Sequence, residues 1–125
     1  MTRSTVARGR DWRRGRRGEW LAAWWLRLKG YRILARDLRT TVGEIDIVAR
    51  RGRVLALVEV KLRPQAASAL EAIRPRQQAR IVRAAGAYLQ RHRNLSHLDM
   101  RFDTVVIVPG RWPRHIPDAW RPEAR

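Results

Sequence analysis

The chain has 125 residues, 45% of them apolar, which suits one domain with a real core. It has no apolar run near the roughly 20 residues that span a bilayer, no secretory leader pattern and no cysteine for a disulfide or a thiolate metal site, so a cytoplasmic location is expected. Lys plus Arg outnumber Asp plus Glu by 28 to 11, a net charge of +17, so nucleic acid is the expected partner, with an anionic membrane surface or a codon bias toward arginine as rivals.

All the cations except Lys29 and Lys61 are arginines, whose planar forks match phosphate oxygens. Residues 1–17 carry seven of them and few apolar groups. This segment reads as a disordered basic arm, serving either sequence-blind phosphate contact or no purpose. Residues 18–125 read as a single domain. From Gly18 to Lys29 the stripe Trp20, Leu21, Trp24, Trp25 and Leu28 has helical spacing, and Gly30 is a stop. That stripe is expected to face the core, with base stacking as the alternative. Tyr31 to Leu38 then reads as a strand and Thr40 to Gly43 as a loop.

Residues 44–50 and 53–61 are the clearest strands, joined by a hairpin whose turn is expected at Arg51-Gly52. Residues 64–70 read as a loop. Pro75 opens a helix running to about Arg93, with the stripe Gln78, Ile81, Val82, Ala85, Tyr88 and Leu89. A last strand is expected from Arg101 to Val108. The tail, with Trp112-Pro113, Ile116-Pro117 and Trp120, is expected to be irregular chain pinned by aromatic anchors. The order of helix, strands, helix and strand predicts an α/β sandwich on a mixed sheet.

Three ionisable groups, Asp46, Glu59 and Lys61, interrupt the two apolar hairpin strands, where an unpaired buried charge is costly. With the turn at Arg51-Gly52, Asp46 faces Leu57 and Glu44 faces Glu59. Side chains alternate across a strand, so Glu44, Asp46, Glu59 and Lys61 collect at one end of one face. The other face, with Ile45, Ile47, Ala49, Ala56 and Val58, is purely apolar and must pack on a helix. Clustered carboxylates call for a cation, and Mg²⁺ takes one or two of them beside water and phosphate. Lys61 could orient a water there. Alternatively, Lys61 and the arginine excess merely neutralise the acids.

Asp46, then twelve residues, then Glu59-Val60-Lys61 resembles the D-x(n)-E-x-K core of the PD-(D/E)XK nucleases. The flanking text resembles the YraN-like uncharacterised bacterial family over about residues 17–108. It comprises Arg17-Gly18-Glu19, Leu28 to Arg36, Gly43 to Arg50 and Val58 to Arg63, and continues through Tyr88-Leu89 to Arg101-Phe102-Asp103. That family is in turn similar to archaeal Holliday junction resolvases. The resemblance implies a restriction-endonuclease-like three-layer sandwich, with a central mixed β-sheet flanked by helices.

It also implies a Mg²⁺- or Mn²⁺-dependent DNA endonuclease acting on branched DNA, working as a homodimer. Asp46 and Glu59 would be metal ligands and Lys61 the catalytic lysine. Glu19 would be the helix carboxylate that joins them, although an acid in a first turn also complements the helix dipole. Glu44 and Gln78 would be outer partners of the site. Where the family reads Pro-Arg-Lys-Gln, this chain has Pro75-Arg76-Gln77-Gln78, so Arg76 or Arg80 would have to supply the helix-borne cation. Asp103 reads as structural, and His92, His97 and His115 have no zinc spacing. The competing reading is a non-catalytic nucleic-acid-binding protein that keeps the nuclease fold.

Overall fold

The computed structural model describes residues 17–64 and 75–122. Most of the expected basic arm and the loop expected at 64–70 therefore lie outside the described residues. Arg17, assigned to the arm, is already helical. Helix α1 spans residues 17–28, followed by β1 (Arg32–Thr40), β2 (Gly43–Arg51) and β3 (Val54–Leu62). Helix α2 (Pro75–Arg91), β4 (Asp99–Ile107) and β5 (Arg114–Trp120) complete the order. The strands form one sheet in sequence order. β3 and β4 run parallel and the other neighbours antiparallel. A parallel pair needs a crossover connection, and α2 lies in it. The result is an α/β three-layer sandwich compatible with the restriction-endonuclease-like fold. No helix among the described residues is long and apolar enough to cross a membrane.

Each face of the sheet carries one helix. Ala22, Ala23, Leu26 and Tyr31 pack with Ile47, Ala49, Ala56, Val58 and Val105. Ile81, Ala84, Ala85 and Tyr88 of α2 pack with Ile45, Val48, Leu55, Leu57 and Phe102. The α2 stripe follows the sequence periodicity closely. The α1 stripe does so only in part: Leu21 packs on the core and Trp25 is half-buried. Trp20, Trp24 and Leu28 are 54%, 38% and 62% exposed, and the buried face is instead Ala22, Ala23 and Leu26. The reason is interlayer distance. Small side chains let α1 lie close on a β-branched sheet face, and a Cβ at Gly18 would press on the Leu62 side chain. Gly30, at φ +91°, stops α1 as expected. Its N–H and that of Tyr31 donate to the Arg27 and Leu26 carbonyls, each at 3.0 Å.

Both hairpins are tight, but the second turn is displaced. Gly52-Arg53 forms it, with Gly52 at φ +60°, so Ile47 pairs with Val58 and not with Ala56. The tail is also more ordered than expected, because residues 114–120 form the edge strand β5. Pro117 is tolerated there since an edge strand need not donate on its outer side. A shift in the β4–β5 register near Asp118, itself at φ 52°, absorbs the irregularity.

A buried polar peg ties these parts together. Asp103 on β4 is fully buried. It accepts from Arg101 Nε and Nη2 at 2.8 and 2.7 Å, from His115 Nε2 at 2.8 Å and from the Asp118 N–H at 3.0 Å. Lys29, just past α1, donates to His115 Nδ1 at 2.5 Å; this network assigns the proton on His115 to Nε2. Arg101 also donates to the Tyr31 hydroxyl at 2.5 Å. Burial alone would raise the Asp103 pKa, but the hydrogen bonds from Arg101, His115 and Asp118 outweigh it and hold the carboxyl below its ordinary value. A depressed carboxyl pKa contributes stability above the unfolded pKa and loses it as pH falls through the folded one. Asp103→Asn should therefore cost about 3 kcal/mol at pH 7, measured by urea unfolding. The gap from wild type should shrink as the pH is taken into the acid range.

Candidate active site

The candidate site arises where β2 and β3 part. Their ladder runs from Arg51↔Val54 to Ile47↔Val58 and goes no further, while β3 stays paired with β4 through Glu59↔Thr104 and beyond. Past the fork, the Val60 N–H donates to Asp46 Oδ2 at 2.8 Å, so a side chain replaces the missing backbone partner. The alternation of β2 breaks at the same point. Ile47 packs on the α1 side but Ile45 on the α2 side, so the expected all-apolar face loses Ile45. The expectation that Glu44 faces Glu59 is also corrected. Glu44 pairs with Arg39 of β1, and the register places Asp46 at the level of Glu59. The displacement is by two residues, and two is the period of a strand, so Glu59 and Lys61 keep their expected side, and Asp46 meets Glu59 at one cavity.

The first turns of α2 close the site from above. Gln77 Nε2 donates to Glu59 Oε1 at 2.5 Å. The other oxygen, Oε2, is buried and has no hydrogen-bond partner among the described residues. Gln77 lies four residues before Ile81, hence on the same helix face. That periodicity could have identified it as the helix residue reaching Glu59, the expectation having named Gln78. Gln78 is half-buried. Gly43 brings β2 against α2 so closely that a Cβ there would collide with the Arg80 carbonyl. Between these elements is a cavity of about 340 Å³, lined by Glu44, Asp46, Glu59, Arg76, Gln77 and Arg80 among others. Both arginines named as replacement cations thus reach it.

Electrostatics mark the same spot. Burial, then the Asp46 charge, push Glu59 up to about 7, against the opposing pull of Lys61, Gln77 and Arg63. Glu19 is also pushed up to about 7, by burial and then by Asp46 and Asp37. Asp46 is raised by burial, which the Val60 N–H partly offsets. Lys61 is only 7% exposed and lies close enough to act on Glu59. Asp46 is therefore the shared member, felt by Glu59 on β3 and by Glu19 on α1. Glu19 itself opens on a separate cleft with Arg17, Trp20, Arg36 and Asp37.

No three Asp, Glu or His side chains among the described residues gather tightly enough to cage a metal ion. The donor set nevertheless fits Mg²⁺ or Mn²⁺. Two hard carboxylates, one with an oxygen that has no partner among the described residues, stand at a cavity with room for water and phosphate at the remaining positions.

Fold and site together define an α/β protein with an acidic pair and a buried lysine at the fork of its central hairpin. The chain belongs to the uncharacterised protein family UPF0102, whose profile matches residues 18–107. It is 59% identical over 111 residues to a UPF0102 protein of Parvibaculum lavamentivorans, covering 89% of this chain and 84% of that one. It is also similar to UPF0102 proteins of Maricaulis maris, 52% identical over 94% of this chain and 93% of the relative, and of Caulobacter vibrioides, 51% identical over 96% and 93%.

Two outcomes follow. A carboxyl raised in the folded state contributes stability below its unfolded pKa and loses it as pH rises through the folded value. For Glu59 that window runs from its ordinary 4.5 to about 7. In metal-free protein, Glu59→Gln should therefore melt at a higher temperature than wild type at pH 8, and the gain should vanish near pH 4. An unchanged difference across that range would contradict the assigned environment. Separately, Gly43→Ala should destabilise by about 2 kcal/mol, because it overpacks a backbone contact; urea unfolding would read this directly.

Proposed function

We propose that this protein is a Mg²⁺- or Mn²⁺-dependent endonuclease that hydrolyses DNA phosphodiester bonds, acting in the cytoplasm on branched, junction-like DNA as a homodimer. The observation that carries the reading is the fork, where Asp46, Glu59 and Lys61 meet in buried surroundings beside a cavity flanked by Arg76 and Arg80. A binding surface alone has no use for buried carboxylates pointed at phosphate. The branched substrate and the paired subunits come from the resemblance to junction resolvases.

In this reading each residue has a separate task. Asp46 is locked by the Val60 N–H, and Glu59 by Gln77, so neither carboxylate must reorganise when the substrate arrives. Arg76 and Arg80 hold the flanking phosphates and contribute no base selection. Lys61 orients the attacking water and balances negative charge that grows on the phosphoryl oxygens. Asp46 and Glu59 would hold the divalent ion, with Glu19 approaching from α1. The ion would supply Lewis-acid polarisation of the phosphate.

Cleavage of linear, nicked and four-way DNA, assayed with Mg²⁺ or Mn²⁺ and again with chelator, tests the proposal. Wild type should cut, and Glu59→Gln and Lys61→Met should each lose about 100-fold or more. Equal cutting by wild type and Glu59→Gln would sink the assignment. A wild type that shifts DNA in a gel yet never cuts would favour the rival, a non-catalytic binding protein. That no three Asp, Glu or His side chains among the described residues form a metal-holding group speaks for this rival.

A further inference from the structure

The exposed side of α1 is not an ordinary surface. Trp20, Trp24 and Leu28 repeat every fourth residue, so they lie on one face, and all three are exposed. Arg17 and Arg27 are also exposed, three residues before Trp20 and three after Trp24, on that same face. The aromatic surface continues off the helix. The Trp24 and Trp25 rings are 6.5 Å apart, and the Trp25 ring is 5.9 Å from that of Trp112, in the β4–β5 loop and 74% exposed. Isolated exposed apolar residues need no explanation, but a contiguous apolar stripe marks a contact surface.

We propose that this stripe is a stacking track for the unpaired bases of a single DNA strand, leading to the acidic pair. Charge favours nucleic acid over a second copy of the chain. The protein carries +17, and two copies meeting on a face that includes Arg17 and Arg27 would oppose like charges. Flat indoles interleaved with arginines are what a sequence-tolerant single-strand site requires, since every base offers a π-face. Spacing favours a single strand over a duplex. Four helical residues rise about 6 Å, against about 3.4 Å per nucleotide in a stacked strand of B-DNA. Rings so spaced suit bases pulled out of their stack. Direction comes from Trp20, which shares its cleft with Glu19, and Glu19 feels the charge of Asp46. The track as a binding surface stands by itself; its delivery of a strand to be cut rests on the nuclease reading.

The test is a binding titration of the full chain in chelator, with no cleavage possible. The probes are a fluorescein-labelled 20-nucleotide oligo(dT) and a 20-base-pair duplex. Oligo(dT) should quench the tryptophan fluorescence of wild type. Trp20→Ala/Trp24→Ala should weaken oligo(dT) binding by about tenfold to a hundredfold while duplex affinity changes less than about threefold. Trp20→Phe/Trp24→Phe should restore most of the loss. Trp20 and Trp24 are both exposed, so circular dichroism and melting temperature of both variants should match wild type. Unchanged oligo(dT) affinity in the alanine variant, or an equal loss on duplex, overturns the track. So does a wild-type dimer in sedimentation that the alanine pair converts to monomer, or binding to phosphatidylglycerol vesicles that the pair abolishes without affecting oligo(dT). A chain that passes but never cuts keeps the track and loses the nuclease reading; one that cuts but fails here loses only the track.

Discussion

The hydrogen bond from the Val60 amide to the Asp46 carboxylate is the contact on which the site depends. When β2 leaves β3 after Ile47, the amides on the inner edge of β3 lose their ladder partners. A buried N–H without an acceptor is costly, so something must replace the carbonyl. A carboxylate does so, and it must sit at the fork to reach. That requirement draws a negative charge into a poorly solvated place. Burial first, and then that charge, raise Glu59 beside it and Glu19 across the layer boundary. The fork thus satisfies the open side of β3 and assembles an acidic centre with the same group.

The rest of the molecule keeps that fork in place. On one face α2 is pressed against Gly43 and reaches Glu59 through Gln77. On the other, α1 lies close over its alanines, with Glu19 at one end near Asp46. The opposite end of α1 is anchored by Tyr31 and Lys29 to the Asp103 peg, which also holds the edge strand β5 through His115 and Asp118. A helix fixed at its far end cannot slide, and its first turn stays at the fork. The Asp103 peg and the acidic centre are opposite solutions to burying a carboxylate. Asp103 is saturated with donors and held below its ordinary pKa, whereas Glu59 has one oxygen without a partner among the described residues and is held above. The first kind of environment suits a structural strut, the second a group that waits for a ligand.

The approach to the site is asymmetric in kind. Arg76 and Arg80 line the cavity on the α2 side, whereas aromatic rings lead toward Glu19 along α1. On the proposed function, guanidinium groups grip phosphates and rings accept bases, so the two sides would take hold of different parts of the same polymer.

Much of this could be read before folding. Period-two alternation placed β2 and β3, period 3.6 placed α2 and its buried stripe, and Gly30 ended α1, since each is a local consequence of backbone geometry. The sidedness of Glu59 and Lys61 survived a misplaced turn because a two-residue slip preserves parity. Three things were not local. Which stripe of α1 faces inward depends on how near the sheet lets the helix come, and apolarity alone pointed to tryptophans where closeness selected alanines. The strand status of residues 114–120 depends on an available β4 edge, which no propensity of a Trp- and Pro-rich tail reveals. The contact of Gln77 with Glu59 depends on the height of α2 above the fork. Sequence periodicity determined the elements and the side that Glu59 takes. Only the packing of layers decided which residues meet, because distance between elements is a property of the assembled core and not of any one segment.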